Sequence, residues 1–226
     1  MAHKTGPEGH HGHGHGHEHA GPSADHRGHG HGKDHRFNDA EQWAKQFDSA
    51  DRAAWQRPDA VVAALGLTPA MRVADLGAGT GYFTVRLARA VPQGRVFAED
   101  IEPDMVRYLG VRATKEGLGN VEAVQGSADD PRLPGGLDAA LMVDVYHHVD
   151  GPVAFFAKVR AAMKPGALLA IVDFKKDAPD DAPGPPASMR IEDAEVVAQL
   201  TEAGFVHEKT DRALLPYQYV VFMRAR

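Results

Sequence analysis

Asp75 closes a short apolar run, and three glycines follow it at alternate positions in Asp75-Leu76-Gly77-Ala78-Gly79-Thr80-Gly81. Glycine permits positive φ and lets a ligand approach the backbone closely. A helix starting just beyond offers unpaired N–H groups. The segment therefore suits a polar cofactor, and its spacing narrows the choice. The dinucleotide pattern G-x-G-x-x-G/A fails, because Tyr82 fills the sixth position counted from Gly77. The Gly-Lys-Ser/Thr of a phosphate loop is absent. An acid at the strand end disfavours a phosphate and favours an ammonium group. S-adenosylmethionine carries an ammonium, a sulfonium and no phosphate, so the loop favours it. The plainer alternative is a tight turn whose glycines serve packing alone.

Two further segments extend this reading. Asp100 closes the next apolar run about 20 residues later, where an acid can take both hydroxyls of a ribose. Glu99 is adjacent, but strand alternation sends the two side chains to different faces. Asp100 is preferred because Ile101-Glu102-Pro103-Asp104-Met105 then restarts the chain as a helix, and Ile101 joins the candidate cofactor residues. After the third run comes Gly126-Ser127-Ala128-Asp129. A backbone N–H and one polar side chain there, Ser127 or Asp129, could read an adenine edge.

Asp144-Val145-Tyr146-His147-His148 follows the fourth run. Asp144 is a further cofactor candidate. His147 or His148 could act as a base near neutral pH, and Tyr146 could line the path of a reacting group. The alternative is that these side chains shape a pocket or pack under the following helix. A metal held by Asp144, His147 and His148 is disfavoured, since adjacent residues point apart; no metal is assigned to the domain. Arg190 could meet an anionic ligand or be a solvated charge at a helix start. Trp43, Phe47 and Trp55 could form an apolar lid or pack into the core.

The elements that must position these residues follow from periodicity. Strands are expected at Arg72–Asp75, Arg95–Glu99, Val121–Gln125, Ala139–Asp144, Ala167–Phe174, Phe205–Thr210 and Tyr217–Arg224. Helices are expected at Tyr82–Ala90, Pro103–Glu116, Pro152–Met163 and Ile191–Ala203. Earlier helices carry Trp43 and Phe47 (capped by Asn38 or Asp39), then Trp55, then Val61, Val62 and Leu65 after Pro58. Alternation predicts an α/β fold: a Rossmann-like, doubly wound, mostly parallel seven-stranded sheet with an antiparallel edge strand and N-terminal helices. The last two strands read as a hairpin through Leu214-Leu215-Pro216. The loop Asp177–Pro186 follows the fifth strand, at the ligand-binding end of such a sheet.

At VADLGAGTGYFT, AEDIEPDMV, QGSADDPRLPGGLDAALMVDVYHHV, MKPG and AIVDF the chain resembles class I S-adenosylmethionine-dependent methyltransferases. Within them it is nearest the ubiquinone/menaquinone-biosynthesis-like methyltransferase-domain proteins, over about residues 57–224. The resemblance implies that Asp75 and Gly77, Ala78, Gly79, Thr80 and Gly81 hold the methionine part. It implies ribose at Asp100 and adenine at the Ser127 loop, where the family usually has Asp. The expected activity is methyl transfer to a small-molecule acceptor by in-line displacement. Asp-Val-Tyr-His replaces the Asn/Asp-Pro-Pro-Tyr/Phe of the planar-amine N-methylases.

Composition sets limits on this. Of 226 residues and a net charge of -6, the first 36 residues hold eleven of the 14 histidines and no net charge. Residues 1–36 are expected to be a disordered His/Gly-rich tail. Residues 37–226 are expected to be the domain, with 37–66 as a helical cap. His10, His11, His13, His15, His17 and His19 suit loose binding of a divalent metal such as Zn, Ni or Cu. An acidic domain argues against a nucleic-acid substrate. With no cysteine, a thiol nucleophile is excluded. No apolar run reaches membrane-span length, and the cytoplasm is the expected location. The competing functional class is a non-catalytic module of this fold whose tail binds metal.

Overall fold

The computed structural model describes residues 39–226. The tail, its candidate metal-binding histidines, the Asn38 cap and the tail–domain boundary lie outside the described residues. Seven strands form one sheet: β1 (Arg72–Leu76), β2 (Arg95–Asp100), β3 (Val121–Gln125), β4 (Leu137–Val143), β5 (Met163–Phe174), β6 (Phe205–Asp211) and β7 (Gln218–Ala225). Their order is β3-β2-β1-β4-β5-β7-β6. Strands β1 to β5 pair in parallel. The expected antiparallel pairing closes one side, with β7 running against β5 and against the border strand β6. The strand order reverses between β1 and β4, so the carboxyl ends of these two strands flank the crevice where open α/β sheets bind ligands.

Helices α1 (Ala40–Phe47), α2 (Ala50–Gln56) and α3 (Pro58–Ala64) precede the sheet. Helices α4 (Thr84–Ala90), α5 (Pro103–Lys115), α6 (Pro152–Ala162) and α7 (Asp193–Glu202) connect its strands. Pro58, Pro103 and Pro152 each occupy a first helical turn, where the missing N–H costs nothing. Asp39 caps α1 by accepting from the Gln42 N–H at 3.2 Å.

Each sheet face carries an apolar layer. Leu76, Phe97, Met142, Leu169 and Ile171 pack with Phe156 and Val159 of α6 and with Val196 and Leu200 of α7. Val73, Val96, Leu141 and Val172 pack on the other face with Val61 of α3 and Leu87 of α4. Full burial of one such side chain is worth about 1.5–3 kcal/mol. These layers hold the strand ends in register and so set the spacing of the loops above them.

Most boundaries shift from expectation by one or two residues, and two of the shifts have a visible cause. Helix α4 starts at Thr84 rather than Tyr82, because Gly81 still has φ +86° and the chain turns helical only beyond it. Strand β5 starts at Met163, where a helix end was expected. Met163 pairs with Leu137, and the register shift after that pair absorbs Lys164-Pro165-Gly166. Among the described residues no helix is long and apolar enough to cross a membrane.

Candidate functional site

The glycine loop leaves β1 at the sheet's carboxyl edge and is stitched to β2. The Ala78 N–H donates to the Glu99 carbonyl at 2.8 Å. The Gly77 N–H donates to Glu99 Oε2 at 3.3 Å, and the Gly79 N–H to Asp100 Oδ2 at 2.8 Å. Glu99 and Asp100 leave opposite faces of β2, yet both reach this loop. Sequence reasoning separated them and used only Asp100. The second Asp100 oxygen accepts the Glu102 N–H at 2.9 Å, which sets the entry into α5.

The three glycines have different jobs. Gly77 has φ +64°, and a Cβ there would lie 2.7 Å from a Val145 methyl. Gly81 has φ +86°, and its Cβ would lie 2.9 Å from Leu109. These two permit close packing of the loop. Gly79 has φ +55°, but a Cβ there meets nothing nearer than the Phe47 ring at 3.8 Å. Its open side faces the space between the loop and α1.

Asp75, Glu99 and Asp100 are all buried. Burial pushes Asp75 up to about 7, against the Thr84 hydroxyl that donates to it at 2.6 Å. Burial likewise pushes Glu99 up to about 8, against its Gly77 N–H bond. It also raises Asp100, against the Glu102 and Gly79 N–H groups. A carboxyl whose folded pKa is raised binds more protons folded than unfolded, so stability falls as pH climbs from the ordinary carboxylate value to the raised one. The melting temperature is therefore expected to drop by about 3–10 °C between pH 5.5 and 8, and the drop to shrink in Asp75→Asn. A flat or rising melting temperature across that range in a thermal-unfolding series contradicts these shifts.

Asp144 sits just past β4 with φ +60°. Its carboxylate accepts from Gln56 Nε2 at 2.8 Å and from Gln218, and Arg52 Nη2 lies 3.4 Å away. Burial raises it to about 6, with the Arg52 charge working against the rise. Asp144 thus ties α2 to β4 and β7. Arg52, Gln56 and Gln218 were not legible as site residues, since positions 56 and 218 come together only through the fold.

His147 lies in the short 3-10 turn Tyr146–His148. Its side chain is only 4% exposed, and Nδ1 is 3.0 Å from Asp173 Oδ2 at the end of β5. Burial works against the imidazolium, but the hydrogen bond and charge of Asp173, with that of Asp144, outweigh it and hold His147 above its usual value. Nε2 makes no hydrogen bond among the described residues. Asp173 was missed, although an acid at the carboxyl end of a central strand was a usable signal. The His148 ring is 4.1 Å from that of His147, and His148 is exposed.

Tyr146 does not line the crevice. Its ring is buried against Phe156 and its hydroxyl donates to Gln199 at 2.7 Å, because the 3-10 turn rotates it under α6 and α7. Arg190 is neither a solvated charge nor a presented cation. It is buried, with Nε donating to Pro185 O at 2.9 Å and Nη1 to Ala178 O at 2.7 Å, and so pins the Pro-rich loop. Ser127 is committed to Asp129 at 2.8 Å, and exposed Asp129 also faces Lys158 at 3.8 Å. Ile101 (49% exposed) and Ala128 present small apolar surfaces on the loops after β2 and β3. The three aromatic lid candidates divide. Trp43 stacks on Phe47 with ring centres 5.3 Å apart, whereas Trp55 meets Phe174 at 5.7 Å. Among the described residues no group of three His, Asp or Glu side chains could hold a metal ion.

The chain matches the methyltransferase domain family over residues 73–166. A solved S-adenosylmethionine-dependent methyltransferase from Aquifex aeolicus superposes with a TM-score of 0.76 at 29% identity, over 83% of this chain and 99% of that one. Over residues 73–166 in sequence, and over most of its length in fold, the chain is similar to the S-adenosylmethionine-dependent methyltransferases. The chain is also similar to the ubiquinone/menaquinone biosynthesis C-methyltransferase of Shewanella pealeana, 30% identical over 54% of this chain and 49% of that protein. It is likewise similar to the trans-aconitate 2-methyltransferase of Rhodopseudomonas palustris, 30% identical over 59% and 48%. The chain thus spans about half the length of these two relatives.

Proposed function

We propose that the protein transfers a methyl group from S-adenosylmethionine to a small, apolar or aromatic acceptor that loses a proton. The observation that carries this reading is the glycine loop held between buried acids at the β1 and β2 carboxyl ends, within a methyltransferase fold. The residues suit the donor. Thr80 Oγ1, Tyr82 OH and Glu99 Oε1 are buried around the loop with no hydrogen-bond partner among the described residues, and such groups ask for one. Asp75 and the loop amides suit the charged amino-acid end. Asp100 suits the ribose hydroxyls, because each of its oxygens keeps acceptor capacity beyond the backbone N–H it already takes. Ile101 and Ala128 suit the faces of an adenine, with Ser127 and Asp129 near its edge.

The bound donor supplies an already activated methyl, so the protein's tasks are alignment and exclusion of water. The N-terminal helices serve exclusion: Phe47 closes over Gly79, and Arg112 joins α5 to Asp48 at 2.6 Å and to the Thr80 carbonyl at 2.8 Å. Trp55 and Phe174 offer an aromatic wall beside Asp173. His147 takes the acceptor's proton at Nε2, with Asp173 fixing the Nδ1–H tautomer. His148, exposed beside it, shapes the entrance.

A product-release assay tests this. S-adenosylhomocysteine formation is measured across a panel of phenols, quinols and carboxylic acids. At least one hydroxylated aromatic is expected to raise release well above the acceptor-free rate, and Asp75→Ala to abolish the increase. Release that no acceptor stimulates, in protein that still binds the cofactor, sinks the catalytic reading.

A further inference from the structure

Where the chain leaves β4, Asp144 has φ +60°, a conformation that residues with a Cβ adopt only at a cost. Such a residue persists where its surroundings over-determine it. The determinants here are two glutamines, Gln56 of α2 and Gln218 of β7, both fully buried. Gln56 Nε2 donates to Asp144 Oδ2 at 2.8 Å and to Gln218 Oε1 at 3.1 Å. Gln218 Nε2 donates to Asp144 Oδ1, and Gln56 Oε1 accepts from Arg52 Nε. Each carboxylate oxygen thus takes an amide donor, and each amide oxygen is itself occupied. Val220, Val221, Phe222 and Met223 further along β7 are buried and apolar, so packing alone does not call for an amide at position 218.

This closed network adjoins the base. Val143 pairs with Val172, and the Asp144 N–H donates to the Val172 carbonyl at 3.0 Å, which brings Asp144 level with Asp173 on the neighbouring strand. Gln218 pairs with Phe174, next to Asp173. Three residues beyond Asp144, His147 directs its backbone N–H and Nδ1 at Asp173 Oδ2, at 3.3 and 3.0 Å. The charged or titratable groups around His147 are Asp173 on β5, Asp144 on β4 with Arg52 of α2 at 3.4 Å from it, and the His148 ring 4.1 Å away on the same turn. Tyr146 turns away to Gln199. The Asp144 charge adds to that of Asp173 in favouring the imidazolium. Burial works to neutralise Asp144, and the Arg52 charge and the Gln56 hydrogen bond oppose it.

We propose that Gln218, together with Gln56, is a positioning residue for His147: the pair clamps the Asp144 carboxylate, which fixes the left-handed turn out of β4 and keeps a second carboxylate charge near the imidazole. The proposal rests on the reading of His147 as the acceptor's base. Being fully buried, Gln218 acts only through its neighbours.

Histidine-ring NMR titration of the full chain tests this, with the His147 signal identified by its loss in His147→Ala. Gln218→Met keeps the length of the side chain and removes the donor. Asp144 then gives up its charge more readily, so His147 is expected to titrate at lower pH than in the wild type. Gln218→Glu adds an acid that shares a proton with Asp144, and the pair retains at least one negative charge. His147 is expected to titrate no lower in that variant than in the wild type. In the product-release assay, kcat of Gln218→Met is expected to fall about 10–100-fold at neutral pH, because the turn that aims the ring is loosened. Its affinity for S-adenosylmethionine is expected to stay within about threefold of wild type. An unmoved His147 in Gln218→Met overturns the proposal, as does a kcat within a few-fold of wild type. An equal downward shift in both variants also overturns it, since that marks a merely structural change. Should Gln218→Met not fold, Asp144→Asn replaces it with the same expected downward shift, and no shift overturns the proposal. All these failures leave the methyl-transfer reading standing. A wild type that binds S-adenosylmethionine yet releases product with no acceptor is a separate outcome, which removes the role of His147 as base and this proposal with it.

Discussion

Gly79→Val is expected to abolish binding of S-adenosylmethionine while leaving a folded protein, whereas Gly77→Val is expected to damage the fold itself. Both residues have positive φ, and both substitutions pay a left-handed penalty of about 1–2 kcal/mol. They differ in what the new side chain meets. At position 79 the first atoms lie 3.8 Å away on Phe47, so the branched side chain fills the open space in front of the loop without displacing core. At position 77 it collides with Val145 at 2.7 Å, and the strand-end packing must move. Gly79→Val should therefore melt about 3–8 °C below wild type and lose at least about a hundredfold in affinity. Gly77→Val should fall by about 10 °C or more, or not accumulate as folded protein. A Gly79→Val protein that binds as wild type does would show that the space before Gly79 is not where the cofactor lies.

The second large effect concerns His147 and Asp173. His147→Ala is expected to lower kcat about 10²–10⁴-fold at neutral pH with little change in the acceptor's KM, which is the usual yield of a positioned base. Asp173→Asn separates positioning from proton transfer. In the wild type, the Asp173 bond and charge hold His147 above its ordinary value against burial. Neutral His147 is the form that accepts a proton, so the rate should rise with pH through that raised value. With the Asp173 charge gone, burial prevails and the rise moves to lower pH, while the plateau falls because the tautomer is no longer fixed. Buried Asp173 also accepts the Phe174 N–H at 2.7 Å, which an Asn oxygen can keep, so the fold should survive. A His147→Ala enzyme within a few-fold of wild type would mean that the acceptor arrives already ionised, as a carboxylate does.

Local signals carried most of the fold and the glycine loop at the centre of the candidate site. The apolar runs gave every strand, and Pro58, Pro103 and Pro152 marked three helix starts, because those patterns act within a few residues. The glycine loop and Asp100 were legible for the same reason. Glu99 was set aside by strand alternation, which describes where a side chain leaves the strand but not how far a long one reaches. Tyr146 and His147 are neighbours in sequence, and only the 3-10 turn sends one under α6 and α7 and the other to Asp173. Arg190 looked like a helix-start charge until the carbonyls of Ala178 and Pro185 folded back onto it. The network of Arg52, Gln56, Asp144 and Gln218 has no sequence signature, since α2, β4 and β7 meet only after the sheet is assembled.

The loop from Asp75 to Gly81 is proposed as a methyl-donor site, and calorimetric titration of the full chain with S-adenosylmethionine and S-adenosylhomocysteine tests this most directly. The wild type is expected to bind both ligands saturably, one to one, in the micromolar range, and Asp75→Ala of unchanged secondary structure is expected to bind neither. Absence of binding by either ligand to wild-type protein that unfolds cooperatively, or full-strength binding to Asp75→Ala, would contradict it.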